Sequence, residues 1–196
     1  MKKLTAYLSF FFLSFPLFYI DGENGVHPQQ LVYTTEEIKS ELAQIRNINI
    51  QAPAFPEGMA WLNTKEELSL VKLRGKVVLL NFWSFNCESC IYLNNNLKYL
   101  EDKFRDRELI IIDVISVKFL NEINWQSIQH AVQQYKIKHP VVIDNENLLC
   151  QFYNISAFPT LALIDPTGIF AGYISEIGNK KILESYTSVL LDEFAL

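Results

Sequence analysis

Residues 77 to 90, Val-Val-Leu-Leu-Asn-Phe-Trp-Ser-Phe-Asn-Cys-Glu-Ser-Cys, constrain what this chain can fold into more than any other stretch. A continuous apolar run of this kind reads as a fully buried strand that delivers Cys87-x-x-Cys90 to the next turn. Beyond it, Ile91, Leu93, Leu97, Leu100 and Phe104 recur at helical spacing with polar residues between them. The two cysteines therefore open a helix. At the first turn of a helix the unpaired backbone N–H groups and the positive end of the dipole favour a thiolate at Cys87. A separation of three places both sulfurs on one side of that turn, close enough to make or break a disulfide without moving the backbone.

The rest of the chain sets the context for that pair. With 196 residues, 49% of them hydrophobic, the sequence supports one good core. The formal net charge is −5, and no Lys/Arg cluster recurs with interleaved aromatics, which argues against a nucleic-acid partner. Three cysteines are too few for a disulfide-stapled mini-domain and leave a pair plus one extra thiol. Lys2 and Lys3 precede Leu4 to Ile20, an uncharged stretch rich in Phe and Leu, which is the pattern of an export signal. No Ala-x-Ala-like site precedes Asp21 and no lipobox cysteine is present, so the segment is either a cleaved signal or a retained membrane anchor. Both place the remainder outside the cytoplasm.

Three segments follow from this reading: a signal or anchor at 1–20, a linker with a short helix at 21–51, and a folded domain at 52–196. Thr34-Thr35-Glu36-Glu37 followed by Ile38, Leu42 and Ile45 predicts the capped helix. Lys65 to Leu68 reads as a helical turn. Leu109 to Ile115 reads as a β-branched run of a second buried central strand. Asn124 to Tyr135 is helical, with Ile128, Ala131, Val132 and Tyr135 on one face; Val141 to Ile143 is a short strand; and Leu148 to Tyr153 is helical again. Phe158 to Ile164 is a strand headed by proline, and Asp165-Pro166-Thr167-Gly168 turns it into a hairpin with Ile169 to Ile174. Asn179 to Phe194 closes the chain as an amphipathic helix. This order predicts an α/β fold, a mixed sheet with helices on both faces.

Lys76-Val77-Val78-Leu79-Leu80-Asn81-Phe82-Trp83 with Cys87-x-x-Cys90, followed downstream by Phe158-Pro159-Thr160 and Leu163-Ile164-Asp165-Pro166-Thr167-Gly168, resembles the thioredoxin superfamily in its exported TlpA/ResA-like branch. Trp61-Leu62-Asn63-Thr64, Lys118-Phe119 and the stretch Tyr135 to Val142 resemble the thioredoxin-like domains of DipZ-type and NHL-repeat-containing proteins. The resemblance implies a thioredoxin-like fold and a thiol-disulfide oxidoreductase. In it Cys87 is the attacking thiolate, Cys90 the resolving thiol, and Pro159 a cis-proline whose neighbour Phe158 pairs with an extended substrate. It also implies protein dithiol or disulfide substrates, an unidentified electron donor, and no metal or organic cofactor. Three positions depart from the family pattern. Asn81 stands where thioredoxins place a buried acid, Asn86 replaces the tryptophan before the first cysteine, and Asn95 replaces a helix proline. Glu88, beside Cys87, is then the candidate proton acceptor. Trp83 is expected to pack beneath the cysteine-bearing helix.

Other readings of the same residues are weaker. A structural zinc site needs two further Cys/His ligands at short spacing, and Cys150, His27, His130 and His139 form no paired motif. Surface or loop roles are expected for all three histidines, and Cys150, among Leu148, Leu149 and Phe152, is expected to pack in the core. Ser84-x-x-Cys87 bears a faint likeness to the peroxiredoxin pattern, but Leu80 stands where that pattern has proline. The competing class is a non-catalytic adaptor of the same fold that binds a partner at the Pro159 groove.

Overall fold

The first helix among the described residues begins where its cap predicts. Thr34 Oγ1 accepts a hydrogen bond from Glu37 N, and the Glu37 carboxylate accepts one from Thr34 N. This reciprocal box starts α1 (Thr35–Asn47), whose Ile38 and Leu42 are fully buried. The computed structural model describes residues 33–84, 87–116, 125–174 and 178–194. The segment 4–20, residues 21–32 of the linker (with His27), Asn86 and Lys118-Phe119 lie outside the described residues.

Six strands form one mixed sheet, and each sits where an apolar run predicts it except the first. They are β1 (Ala60–Leu62), β2 (Val77–Trp83), β3 (Leu109–Ser116), β4 (Val141–Asp144), β5 (Thr160–Ile164) and β6 (Phe170–Ile174), in spatial order β1-β4-β3-β2-β5-β6. β2 is parallel to β3 and antiparallel to β5, and β3 is parallel to β4. β2 lies in the middle and is buried along its whole length, as its uninterrupted hydrophobicity requires. The edge strand β1 is too short to show a period, which is why its sequence does not announce it. Residues 65–68, expected as a helical turn, instead run as a bend into irregular chain, following Asn63, which takes a left-handed conformation and donates to the carbonyls of Ile137 and His139.

Helices cover both faces. Alternate β2 residues Val78, Leu80 and Phe82 pack with Leu149, Cys150 and Tyr153 from α4 (Leu148–Phe152) and its C-cap. Trp83, on the opposite face, packs with Cys90 of α2 (Glu88–Lys103) and with Ile128 and Val132 of α3 (Trp125–Gln134). Cys150 is therefore a core residue on the side of the sheet away from Cys90, as expected of an apolar thiol. The closing helix α5 (Lys180–Glu193), capped by Asn179, contacts α1, α2 and β2.

The Asp165–Gly168 turn is held by its own carboxylate: Asp165 Oδ1 accepts from Thr167 N and Ile169 N, and Arg46 Nε reaches Oδ2 at 2.9 Å. Beside it α1 lies on β6 at Gly172, whose φ is +119° and where an added Cβ would stand 2.9 Å from Ile45 Cδ1. Gly172→Ala is accordingly expected to cost about 1–3 kcal/mol. Thermal unfolding measures this, and an unchanged melting temperature would show that the α1 seat tolerates a side chain.

Candidate active site at the start of the second helix

β2 carries the chain up the centre of the sheet, and α2 starts directly after it. Cys87 is the N-cap of α2 in extended conformation, and its sulfur accepts from Cys90 N at 3.2 Å. The two cysteines are bonded to each other, with Cα atoms 5.3 Å apart. Cys87 is partly exposed and Cys90 only 3% exposed, so an incoming sulfur meets Cys87 first. An exposed sulfur at the positive end of a long helix is where a thiolate is stabilised once the bond is reduced. Ser89 Oγ lies 3.4 Å from Cys87 Sγ and adds one polar neighbour.

An open groove of about 780 Å³ runs past that sulfur, walled by Ser84, Glu88 and Tyr92 on one side and by Ala157 and Phe158 on the other. Strand register explains the second wall. Phe82 pairs with Thr160, which brings the preceding Phe158–Pro159 bond level with the end of β2. That bond is cis. Phe158 also packs against the cluster holding Trp83, Cys87 and Cys90. The structure thus gathers the sequence-predicted residues Cys87, Cys90, Glu88, Phe158 and Pro159 at one end of the sheet, with Trp83 beneath. Glu88 is exposed on the groove wall. Ile91 is 38% exposed and Tyr92 60%, so the stripe of α2 turns into the sheet only from Leu93 onward.

Beneath α2 lies a polar network that the sequence reading missed. Asn81, buried in β2, donates from Nδ2 to Asp113 Oδ1 at 2.8 Å. Asp113 is 1% exposed and also lies 3.1 Å from His139 Nε2, out of line for a hydrogen bond, so that contact is an ion pair. His139 Nδ1 sits 3.0 Å from Glu101 Oε1 on α2. Burial alone would lower the His139 pKa, but the two carboxylates, Asp113 foremost, outweigh it and lift the value to about 9. His139 thus lies in the loop that enters β4, as expected, but as a buried, charged partner and not as a solvent-facing one. A signal was present: Asp113 interrupts the apolar run Leu109 to Ile115, and an acid in a central strand calls for a buried polar or charged partner. Among the described residues, no group of three or more His, Cys, Asp or Glu is arranged to hold a metal ion, and no helix is long and apolar enough to cross a membrane.

Comparison with known proteins agrees with this geometry. The AhpC/TSA family matches residues 48–172. NHL repeat-containing protein 2 of Bos taurus is 41% identical over 145 residues, covering 73% of this chain and 20% of that protein. The chain thus spans about a fifth of that relative's length. Thiol-disulfide oxidoreductase ResA of Bacillus subtilis (strain 168) is 26% identical over 129 residues, covering 64% of this chain and 67% of ResA. The solution structure of a thioredoxin-like protein in its oxidised form superposes with a TM-score of 0.64 at 24% identity, covering 74% of this chain and 96% of that one.

Proposed function

Given that the chain belongs to the AhpC/TSA family of thioredoxin-like proteins, in a TlpA/ResA-like branch whose members include thiol-disulfide oxidoreductases, we propose that it reduces disulfides of protein substrates outside the cytoplasm. One observation carries the reading. The Cys87–Cys90 disulfide exposes only its outer sulfur, and does so in an open groove beside the cis Phe158–Pro159 bond. A buried structural cross-link would have no such approach.

The chemistry is dithiol-disulfide exchange. In the reduced protein the Cys87 thiolate attacks one sulfur of a substrate disulfide. The substrate S–S bond breaks, its other sulfur leaves as a thiolate and takes a proton, and a Cys87–substrate disulfide forms. Cys90, deprotonated, then attacks Cys87 Sγ and expels the second substrate thiolate. Two electrons pass to the substrate, the Cys87–Cys90 bond is restored, and a donor dithiol reduces it again. Glu88 takes the part of proton acceptor at the groove wall, and the Phe158 backbone pairs with the extended substrate segment. Lys2, Lys3 and the apolar run 4–20 support export, as signal or anchor, with 52–196 as the working domain, onto which the short helix of the 21–51 segment packs.

Cys90→Ser tests this directly. Without the resolving thiol, Cys87 is expected to hold substrates as mixed disulfides that dithiothreitol releases on a non-reducing gel. Absence of any adduct, with full complementation of a deletion by the same variant, would turn the assignment to a binding adaptor at the Pro159 groove.

A further inference from the structure

Two buried side-chain carbonyl oxygens on the elements that flank the cysteine pair, Asn81 Oδ1 of β2 and Asn94 Oδ1 of α2, have no hydrogen-bond donor among the described residues. Asn94 is 6% exposed, and its Nδ2 donates to Tyr135 O at 3.0 Å, so one end of its amide is engaged and the other is empty. It lies four residues after Cys90 in α2, on the same helix face, and helical side chains lean toward the N-terminal turn. Asn81 belongs to the strand beneath, and its amide is held by Asp113. An orphaned buried acceptor is costly and calls for a reason.

The disulfide state supplies one. Cys90 Sγ is bonded to Cys87 and carries no hydrogen, so it offers nothing to accept. Reduction changes that. With glutathione as reductant, two glutathione thiols give up their hydrogens and become glutathione disulfide, and the Cys87–Cys90 bond becomes two thiols. Cys87, at the helix start and partly exposed, releases its proton to water. Cys90, shielded from solvent, keeps its proton and becomes an S–H donor.

We propose that Asn94 Oδ1 accepts the Cys90 Sγ–H of the reduced protein, which makes Asn94 a positioning residue that sets the redox poise of the pair. The acceptor is unsatisfied when the pair is oxidised and satisfied when it is reduced. The dithiol is favoured by the difference. This rests on the oxidoreductase reading above and deepens it.

The test is the equilibrium of the full chain with glutathione, followed by alkylation of free thiols, for the wild type, Asn94→Leu, Asn94→Ala and Asn81→Leu. Asn94→Leu and Asn94→Ala are expected to shift the constant toward the disulfide by roughly five- to tenfold; for this two-electron couple a tenfold shift is about 30 mV. Both variants also lose the Asn94 Nδ2 bond to Tyr135 O, but that carbonyl keeps Lys98 Nζ as a donor and is not orphaned in either redox state. Thermal unfolding with and without reductant separates poise from packing. The variants should lose stability in the reduced form relative to the oxidised one, whereas a merely structural Asn94 lowers both alike and leaves the constant where it was. An unchanged constant in both Asn94 variants, or a shift seen only in Asn81→Leu, overturns the role of Asn94 while the oxidoreductase reading stands. A wild-type pair that never equilibrates with glutathione overturns both.

Discussion

Cys87→Ser is expected to abolish reduction of a disulfide-bonded model protein, with a loss of about 10⁴-fold in rate. The argument is chemical. The attacking species is a thiolate, and a serine hydroxyl at the same helix start stays protonated at any pH where the protein is folded. Cys90 cannot substitute, because the residue is only 3% exposed and packs in the core cluster of Trp83, Ile128 and Val132. The fold should survive, since the bond closes a loop of only three steps and constrains the unfolded chain little. A turbidity or fluorescence assay of substrate reduction, with circular dichroism as the folding control, decides the matter. Substantial activity in a folded Cys87→Ser protein would remove the exchange mechanism altogether.

Replacing His139 with Leu is expected to destabilise the fold by about 3–5 kcal/mol, because it leaves the Asp113 carboxylate buried without its cation. That exceeds anything the exposed pairs Lys72–Glu66 or Arg105–Asp102 contribute, since water screens both partners. The same pair gives stability a pH dependence with a definite sign. His139 titrates near 6.5 when unfolded and near 9 in the fold, held up by Asp113 and Glu101 against the opposing effect of burial. Its stabilisation, about 3 kcal/mol by linkage, is present in full below pH 6.5 and is lost as pH rises from there through 9. Denaturant titrations between pH 6 and 10 should show the wild type weakening over that window. Asp113→Asn combined with His139→Gln, which removes both charges, should flatten it. A wild type equally stable at both ends of the range would show that His139 is not the charged partner of Asp113.

What proved readable in the chain was whatever depends on near neighbours. The Thr34–Glu37 box marks α1, the Asp165–Gly168 turn marks the hairpin, and the unbroken run from Val77 to Trp83 marks the central strand. Cys87 and Cys90 were marked as a pair by their spacing together with their place between a buried strand and a helix start. The partners of Asp113 were hidden for the opposite reason. His139 is 26 positions downstream, Asn81 is 32 upstream, and they meet Asp113 only because β3 lies between β2 and β4 in a particular register. Asn94 likewise looked like one more polar residue on an amphipathic helix until Tyr135 was found beside it.

By itself, then, the sequence determined the elements apart from the short edge strand β1, their order, the buried strand and the cysteine pair at its exit, because backbone preference and hydrophobic periodicity act over a few residues. Only the tertiary structure decided which polar groups were buried together: the ionic contact of His139 with Asp113 and the half-empty amide of Asn94. Hydrogen bonds and charge pairs act through space over a few ångströms, and residues so close in the fold can be far apart along the chain.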